Sequence, residues 1–166
     1  MKLTVYLAGA IRDGKPEDIA WREAMIDDLR RVAVILNPLA GKHRDEASGL
    51  WTLSGRPSGS KVIVHQDFWA VDRADIIVFN LLPMAEGYLS IGTMAEWGRS
   101  TTRSVLRYVI AKPNFTGRQN AAMFKLHPFI AEYATDIFAT ADECRDFLRM
   151  HIGRLSGARP RYGANP

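Results

Sequence analysis

A single cysteine, Cys144, in 166 residues excludes an intramolecular disulfide framework and any multi-cysteine zinc site. No apolar run approaches the roughly 18 residues of a membrane-spanning helix. Met1-Lys2-Leu3-Thr4-Val5-Tyr6 runs straight into a strand-like segment with no apolar leader or small-residue cleavage site, so a cytoplasmic location and no membrane partner are expected. The four histidines, His43, His65, His127 and His151, share no metal-ligand spacing, and no metal is expected. There is no GxxxxGK[ST] loop, and Gly9-Ala10-Ile11-Arg12-Asp13-Gly14 lacks the GxGxxG spacing. ATPase and dehydrogenase readings fall with these absences, and no cofactor is expected. Aromatic residues do not interleave with basic ones as in a base-stacking platform, which argues against a nucleic-acid partner.

What remains is an ordinary globular composition, 47% apolar and 24% charged, which argues against disorder and fibrous repeats. The net charge of +4 is modest. Part of it lies at Arg154, Arg159 and Arg161 among Gly, Pro and Ser, so a domain over 1–153 followed by a flexible basic tail over 154–166 is expected. The alternative for those arginines is contact with phosphate. Cys144, on an expected C-terminal helix, reads as a packing residue rather than a nucleophile.

Short apolar runs alternate with helical periodicity. Strands are expected at Leu3–Ala8, Val32–Leu36, Ile76–Phe79, Val105–Ala111 and, more weakly, Ile137–Ala139. Helices are expected from Pro16 through Leu29, over Val62–Ala74 with Val62, Val64, Phe68, Trp69 and Val71 packing inward, over Gly92–Thr102, within Asn120–Leu126 and over Cys144–Ile152. Residues 40–60, rich in Gly, Ser, Lys and Arg, read as a long irregular loop serving the active site. The fold class is α/β: a three-layer open parallel sheet of about five strands with helices on both faces, Rossmann- or flavodoxin-like. Ligands bind such sheets outside the carboxyl ends of the strands. Gly9–Gly14, Asn80–Thr93 and the 40–60 loop therefore share one crevice.

Within that crevice, Ser90-Ile91-Gly92-Thr93-Met94-Ala95-Glu96 opens a helix. Gly92 admits close approach, Ser90 and Thr93 carry hydroxyls, and helix-start amides favour an anion. By spacing alone Glu96 reads either as a group facing the crevice or as a solvated glutamate beside the helix dipole. Tyr6, near the end of the first strand, reads either as reaching the same crevice or as a core tyrosine. Asp67 faces inward on its helix, whereas Asp72, next to Arg73, falls in a turn or on the surface.

Tyr6-Leu7-Ala8-Gly9-Ala10-Ile11-Arg12, Gln66-Asp67 with Ala74-Asp75-Ile76-Ile77-Val78, and Gly92-Thr93-Met94-Ala95-Glu96-Trp97-Gly98 together resemble the nucleoside 2-deoxyribosyltransferases and, equally, the related nucleotide N-glycoside hydrolases. The resemblance spans about residues 3–111 and leaves the 40–60 loop and the tail unmatched. It implies Glu96 as nucleophile on the anomeric carbon, Tyr6 hydrogen-bonded to it, and Asp67 contacting the sugar and assisting departure of the base. Retaining chemistry of this kind needs one ionised carboxylate and one acid partner.

The substrate-binding set on the crevice is Gly9, Ile11, Arg12, Asn80, Ser90, Gly92 and Thr93. In the transferases the position of Ser90 usually holds an aspartate near the sugar 5′-hydroxyl. In the nucleotide hydrolases it holds a serine near a 5′-phosphate, so Ser90 leans the expectation to a (deoxy)nucleoside 5′-monophosphate; the plainer alternative is an N-cap. The resemblance also implies a homodimer or higher homo-oligomer, with the Trp97 helix and residues 120–130 as candidate contacts. Three other readings stand beside it. One is a transferase that moves deoxyribose between bases. Another is a cytokinin-type phosphoribohydrolase, which would carry a Pro-Gly-Gly run where Tyr88-Leu89-Ser90-Ile91 stands. The last is a nucleotide-sensing module without turnover.

Overall fold

The computed structural model describes residues 2–11, 15–44, 51–53, 56–57, 60–85, 90–112 and 128–157. In chain order these form β1 (Leu3–Gly9), α1 (Pro16–Leu29), β2 (Ala33–Leu36), β3 (Lys42–Arg44), β4 (Trp51–Leu53), β5 (Arg56–Pro57) and α2 (Ser60–Arg73). Then follow β6 (Ile76–Asn80), α3 (Leu82–Ala85), α4 (Ile91–Thr101), β7 (Leu106–Ile110), α5 (Pro128–Tyr133), β8 (Asp136–Phe138) and α6 (Ala141–Gly157). Arg12, the expected helix at Asn120–Leu126 and residues 158–166 of the expected tail lie outside the described residues.

The main sheet has five strands, all paired in parallel, in the order β2-β1-β6-β7-β8. This is the expected three-layer α/β architecture. Both faces of the central strands are buried, which is why they read as unbroken apolar runs. Leu3, Val5 and Leu7 of β1, with Ile76 and Val78 of β6, face one helical layer. That layer packs through Trp21, Met25 and Leu29 of α1 and Cys144, Leu148 and Ile152 of α6. Each triplet repeats at i, i+4, i+8, one stripe of a helix, and each fully buried large side chain contributes roughly 1.5–3 kcal/mol. Tyr6, Ala8, Ile77 and Phe79 face the opposite layer, where Ala70 and Val71 of α2, Ala74 just after it and Trp97 of α4 meet them.

The chain turns from β1 to β2 through α1 on one face and reaches β6 through α2 on the other. The strand order therefore reverses between β1 and β6, where an open α/β sheet leaves a crevice at its carboxyl edge.

Three local expectations change. Residues 40–60 are not irregular throughout: β3, β4 and β5 pair antiparallel as a small second sheet. Val62, Val64 and Trp69 of α2 lie about half exposed instead of packing inward, because the buried side of that helix runs through Ala70 and Val71 and on to Ala74 beyond its end. The last helix continues past Ile152 to Gly157.

Candidate active site

The carboxyl end of β1 is held open by an arginine. Arg22 on α1 is fully buried, one residue along from the apolar stripe, and stacks beside Trp21 with its guanidinium carbon 4.7 Å from the ring centroid. Its guanidinium donates to the carbonyls of Leu7 (3.3 Å), Gly9 (2.7 Å), Ala10 (3.4 Å) and Asp18. A fork of donors thus satisfies the backbone where β1 ends, and burial lowers the guanidinium pKa to about 10, leaving it charged at neutral pH. Gly9 is glycine for lack of room: a Cβ there would meet Arg22 Nη2 at 3.1 Å, Trp21 at 3.2 Å and Asn80 at 3.3 Å. Asn80 in turn accepts the Leu82 amide at 3.0 Å and starts α3.

α4 starts beyond β6, at the same sheet edge. Ser90 is its N-cap: Oγ accepts the Thr93 amide at 3.3 Å and the Thr93 hydroxyl at 2.8 Å. Because Ser90 Oγ accepts in both bonds, its own hydroxyl hydrogen is left to donate elsewhere. Among the described residues nothing lies within 4 Å of a Cβ built on Gly92, which leaves the first turn of α4 approachable on their side.

The buried stripe of α4 is Thr93, Glu96, Trp97 and Ser100, unusually polar for a sheet-facing surface. Trp97 packs edge-on against Phe79 at 4.8 Å between centroids, inside the chain rather than on an exposed face. Its neighbour Glu96 is only 7% exposed. Tyr6, fully buried on β1, donates its hydroxyl to Glu96 Oε1 at 2.5 Å. Burial raises the Glu96 carboxyl to about 7, and the Asp67 charge adds to the rise; the Tyr6 bond and the charges of Arg22 and Lys42 oppose it. Burial, with the charge of Glu96, drives the Tyr6 phenol well above its ordinary range, so it remains a donor.

Asp67 occupies the inward stripe of α2, in helical register with Ala70, Val71 and Ala74. It carries a partner that sequence reasoning missed. Lys42, at the start of β3, donates its ammonium to Asp67 Oδ1 at 2.9 Å, with side-chain exposures of 4% and 19%. Burial raises the Asp67 carboxyl while Lys42 pulls it back. Tyr6, Leu36, Asn37, Pro38, Gln66 and Asp67 line a cleft of about 140 Å³, and Gln66 Oε1 is buried with no hydrogen-bond partner among the described residues. That volume suits a fragment such as a single ring, well below the roughly 300–1,000 Å³ of pockets for drug-sized ligands.

Exposed Asp72 falls at the surface as expected, bidentate with Arg99 of α4 at 2.8 and 2.5 Å. Arg99 also lies 4.8 Å from the Phe68 ring, tying α2 to α4. Tyr6, Asp67 and Glu96 thus belong to one electrostatic cluster, with Gly9, Asn80, Ser90, Gly92 and Thr93 at the same sheet edge; Ile11 follows β1 there. Among the described residues no group of three His, Cys, Asp or Glu is arranged to hold a metal ion. No helix among them is long and apolar enough to cross a membrane.

No family model and no curated protein matches the chain. Solved structures do. A 2-desoxiribosyltransferase from Leishmania mexicana superposes with TM-score 0.61 at 15% identity, covering 90% of this chain and 98% of that one. A conserved protein from Enterococcus faecalis V583 gives TM-score 0.63 at 13% identity, covering 91% and 99%. The Clostridium botulinum CMP N-glycosidase BcmB gives TM-score 0.55 at 15% identity, covering 89% and 98%. The chain shares the fold of these proteins over nearly its whole length.

Proposed function

We propose that this chain is a nucleotide N-glycosidase. It cleaves the base–sugar bond of (deoxy)nucleoside 5′-monophosphates with retention, through a glycosyl ester on Glu96. The observation that carries the reading is the buried Glu96 carboxylate, oriented by Tyr6 at the crevice of the sheet, with Asp67 coupled to it from the neighbouring helix. A pure binding module has no need of a nearly buried carboxylate gripped by a phenol, which disfavours the sensing alternative. The fold shared with a transferase and an N-glycosidase supports membership of the same family.

The chemistry follows from the charges. Glu96 attacks C1′ as its carboxylate, and the positive charge that grows on the sugar in the transition state stabilises that form. Asp67 assists the base, which leaves poorly as an anion and gains most from protonation. Ser90 donates its hydroxyl to the 5′-phosphate, and the Gly92 amide at the start of α4 adds to it, the Thr93 amide being taken up by Ser90 Oγ. Arg12 belongs to the same phosphate site in this reading. The protein works in the cytoplasm as a homodimer or larger homo-oligomer, and light scattering at micromolar concentration checks the assembly.

Transfer of deoxyribose to a second base is the alternative, since base and water compete for the same glycosyl ester. The experiment is a panel of nucleosides and 5′-monophosphates, with and without a free acceptor base, read for released base. Release from monophosphates without acceptor supports the hydrolase. Turnover only with acceptor moves the assignment to transferase, and no release at all removes the enzymatic reading.

A further inference from the structure

Lys42 is the one member of the cluster that the proposed reaction leaves without a task. It is placed with care. Asn37 Oδ1 accepts the Leu39 amide, the Ala40 and Lys42 amides return to the carbonyls of Asn37 and Leu39, and Gly41 takes φ 71°. This turn, feasible for glycine at little steric cost, leads into Lys42, whose side chain meets α2 at Asp67. There Nζ lies 2.9 Å from Asp67 Oδ1, almost out of contact with solvent.

Burying both ions costs several kcal/mol each, and a buried pair is weak evidence for stability. Its use is better sought in the reaction. A lysine ammonium in direct contact with a carboxylate can pass it a proton along the hydrogen bond, which a guanidinium does not. We propose that Lys42 is the proton store behind Asp67: a positioning residue that supplies, through Asp67, the proton taken by the departing base. This rests on the N-glycosidase reading.

The balance is as follows. Lys42 passes one proton across the hydrogen bond, giving an amine beside a carboxylic acid. As Glu96 oxygen bonds to C1′, the C1′–N bond breaks and its electron pair goes to the ring nitrogen. That nitrogen takes the Asp67 proton, leaving carboxylate and amine. In the second half water oxygen bonds to C1′, the ester pair returns to Glu96, and the proton from water restores Asp67 and then Lys42. Tyr6, Glu96 and Arg22 are the other charged or titratable groups coupled to Asp67. Tyr6 keeps its proton and Arg22 is occupied by carbonyls, so among the described side chains Lys42 is the proton donor in contact with Asp67.

The test is a double-mutant cycle on base release from CMP and dCMP, or the best monophosphate in the panel, using Lys42→Arg, Asp67→Asn and both together. Arginine keeps the cation and cannot give up its proton. Lys42→Arg is expected to lower kcat at least tenfold with KM within about threefold, and to add nothing in the Asp67→Asn background. Wild-type rates in Lys42→Arg overturn the proposal, since a bare cation then suffices. So does a loss that multiplies with that of Asp67→Asn. Should Lys42→Arg lose its native melting transition, Lys42→Met is assayed with added methylamine or guanidinium: rescue of kcat by methylamine and not by guanidinium is expected, and rescue by both or by neither overturns the proposal. A wild type that releases base from no substrate fails the underlying reading instead, before any variant is compared.

Discussion

Tyr6 on β1 donates its hydroxyl to Glu96 on α4 across 2.5 Å, with both side chains withdrawn from solvent. The two residues are 90 positions apart in sequence, and the bond joins the middle layer of the fold to the helix beside it. It stabilises the ionised form of Glu96 against burial, which acts in the opposite direction.

Removing that hydroxyl tests the relationship. Tyr6→Phe keeps the ring in the core and deletes one bond to a charged acceptor, worth about 1.5–3 kcal/mol. Base release should fall about ten- to a hundredfold. The acid limb of kcat/KM, expected near pH 7 in the wild type, should move to higher pH. A limb that stays in place means Tyr6 does not tune Glu96.

Glu96 also sets a cost in stability. In the unfolded chain its carboxyl ionises near 4.5, and in the fold near 7, so the folded state holds the proton longer. Stability therefore falls as pH rises across that window and remains lower above it, by a few kcal/mol at most. Glu96→Gln should abolish turnover and raise the melting temperature at pH 8. Its advantage should vanish below pH 4.5, where both side chains are neutral. Equal melting curves at pH 8 contradict the burial argument.

Ser90→Asp separates the cap from the phosphate. Aspartate caps a helix as well as serine, so the melting temperature should hardly change. A new charge beside the 5′-phosphate should depress kcat/KM on monophosphates far more than on the matching nucleosides. Equal losses on both would leave Ser90 a cap alone and favour the transferase.

Arg22→Met takes the guanidinium from the carbonyls of Leu7, Gly9, Ala10 and Asp18, of which Asp18 keeps its helical backbone bond. A destabilisation of at least about 3 kcal/mol is expected in urea unfolding, since several buried acceptors go unpaired at once. A change below about 1 kcal/mol would mean that water replaces the guanidinium.

The fold was legible because a sheet buried on both faces leaves unbroken apolar runs, as in Leu3–Ala8 and Ile76–Phe79. Tyr6, Asp67 and Glu96 were legible as candidates, yet Tyr6 and Glu96 each alone had a plainer alternative. What separates them is the company each keeps: Thr93, Glu96, Trp97 and Ser100 share one inward stripe, and Asp67 shares another with Ala70, Val71 and Ala74. Lys42 and Arg22 were not legible. Lys42 sits in a stretch whose Gly, Ser, Lys and Arg content marks solvated loops, and only the turn at Gly41 reverses its direction. Arg22 adjoins an apolar stripe on a helix, where a charge ordinarily turns to water. Trp69, half exposed with Arg73 5.5 Å from its ring, defeats an apolar-equals-buried reading for the opposite reason.

The most direct measurement is mass spectrometry of the chain incubated with a 2′-fluorinated nucleoside 5′-monophosphate, whose fluorine slows loss of the sugar from the enzyme. After digestion, the peptide containing Glu96 should carry the fluorosugar phosphate, in step with release of one base per site, and Glu96→Gln should carry none. Base release from a wild type that is never labelled, or a label on any other residue, would contradict a glycosyl ester on Glu96.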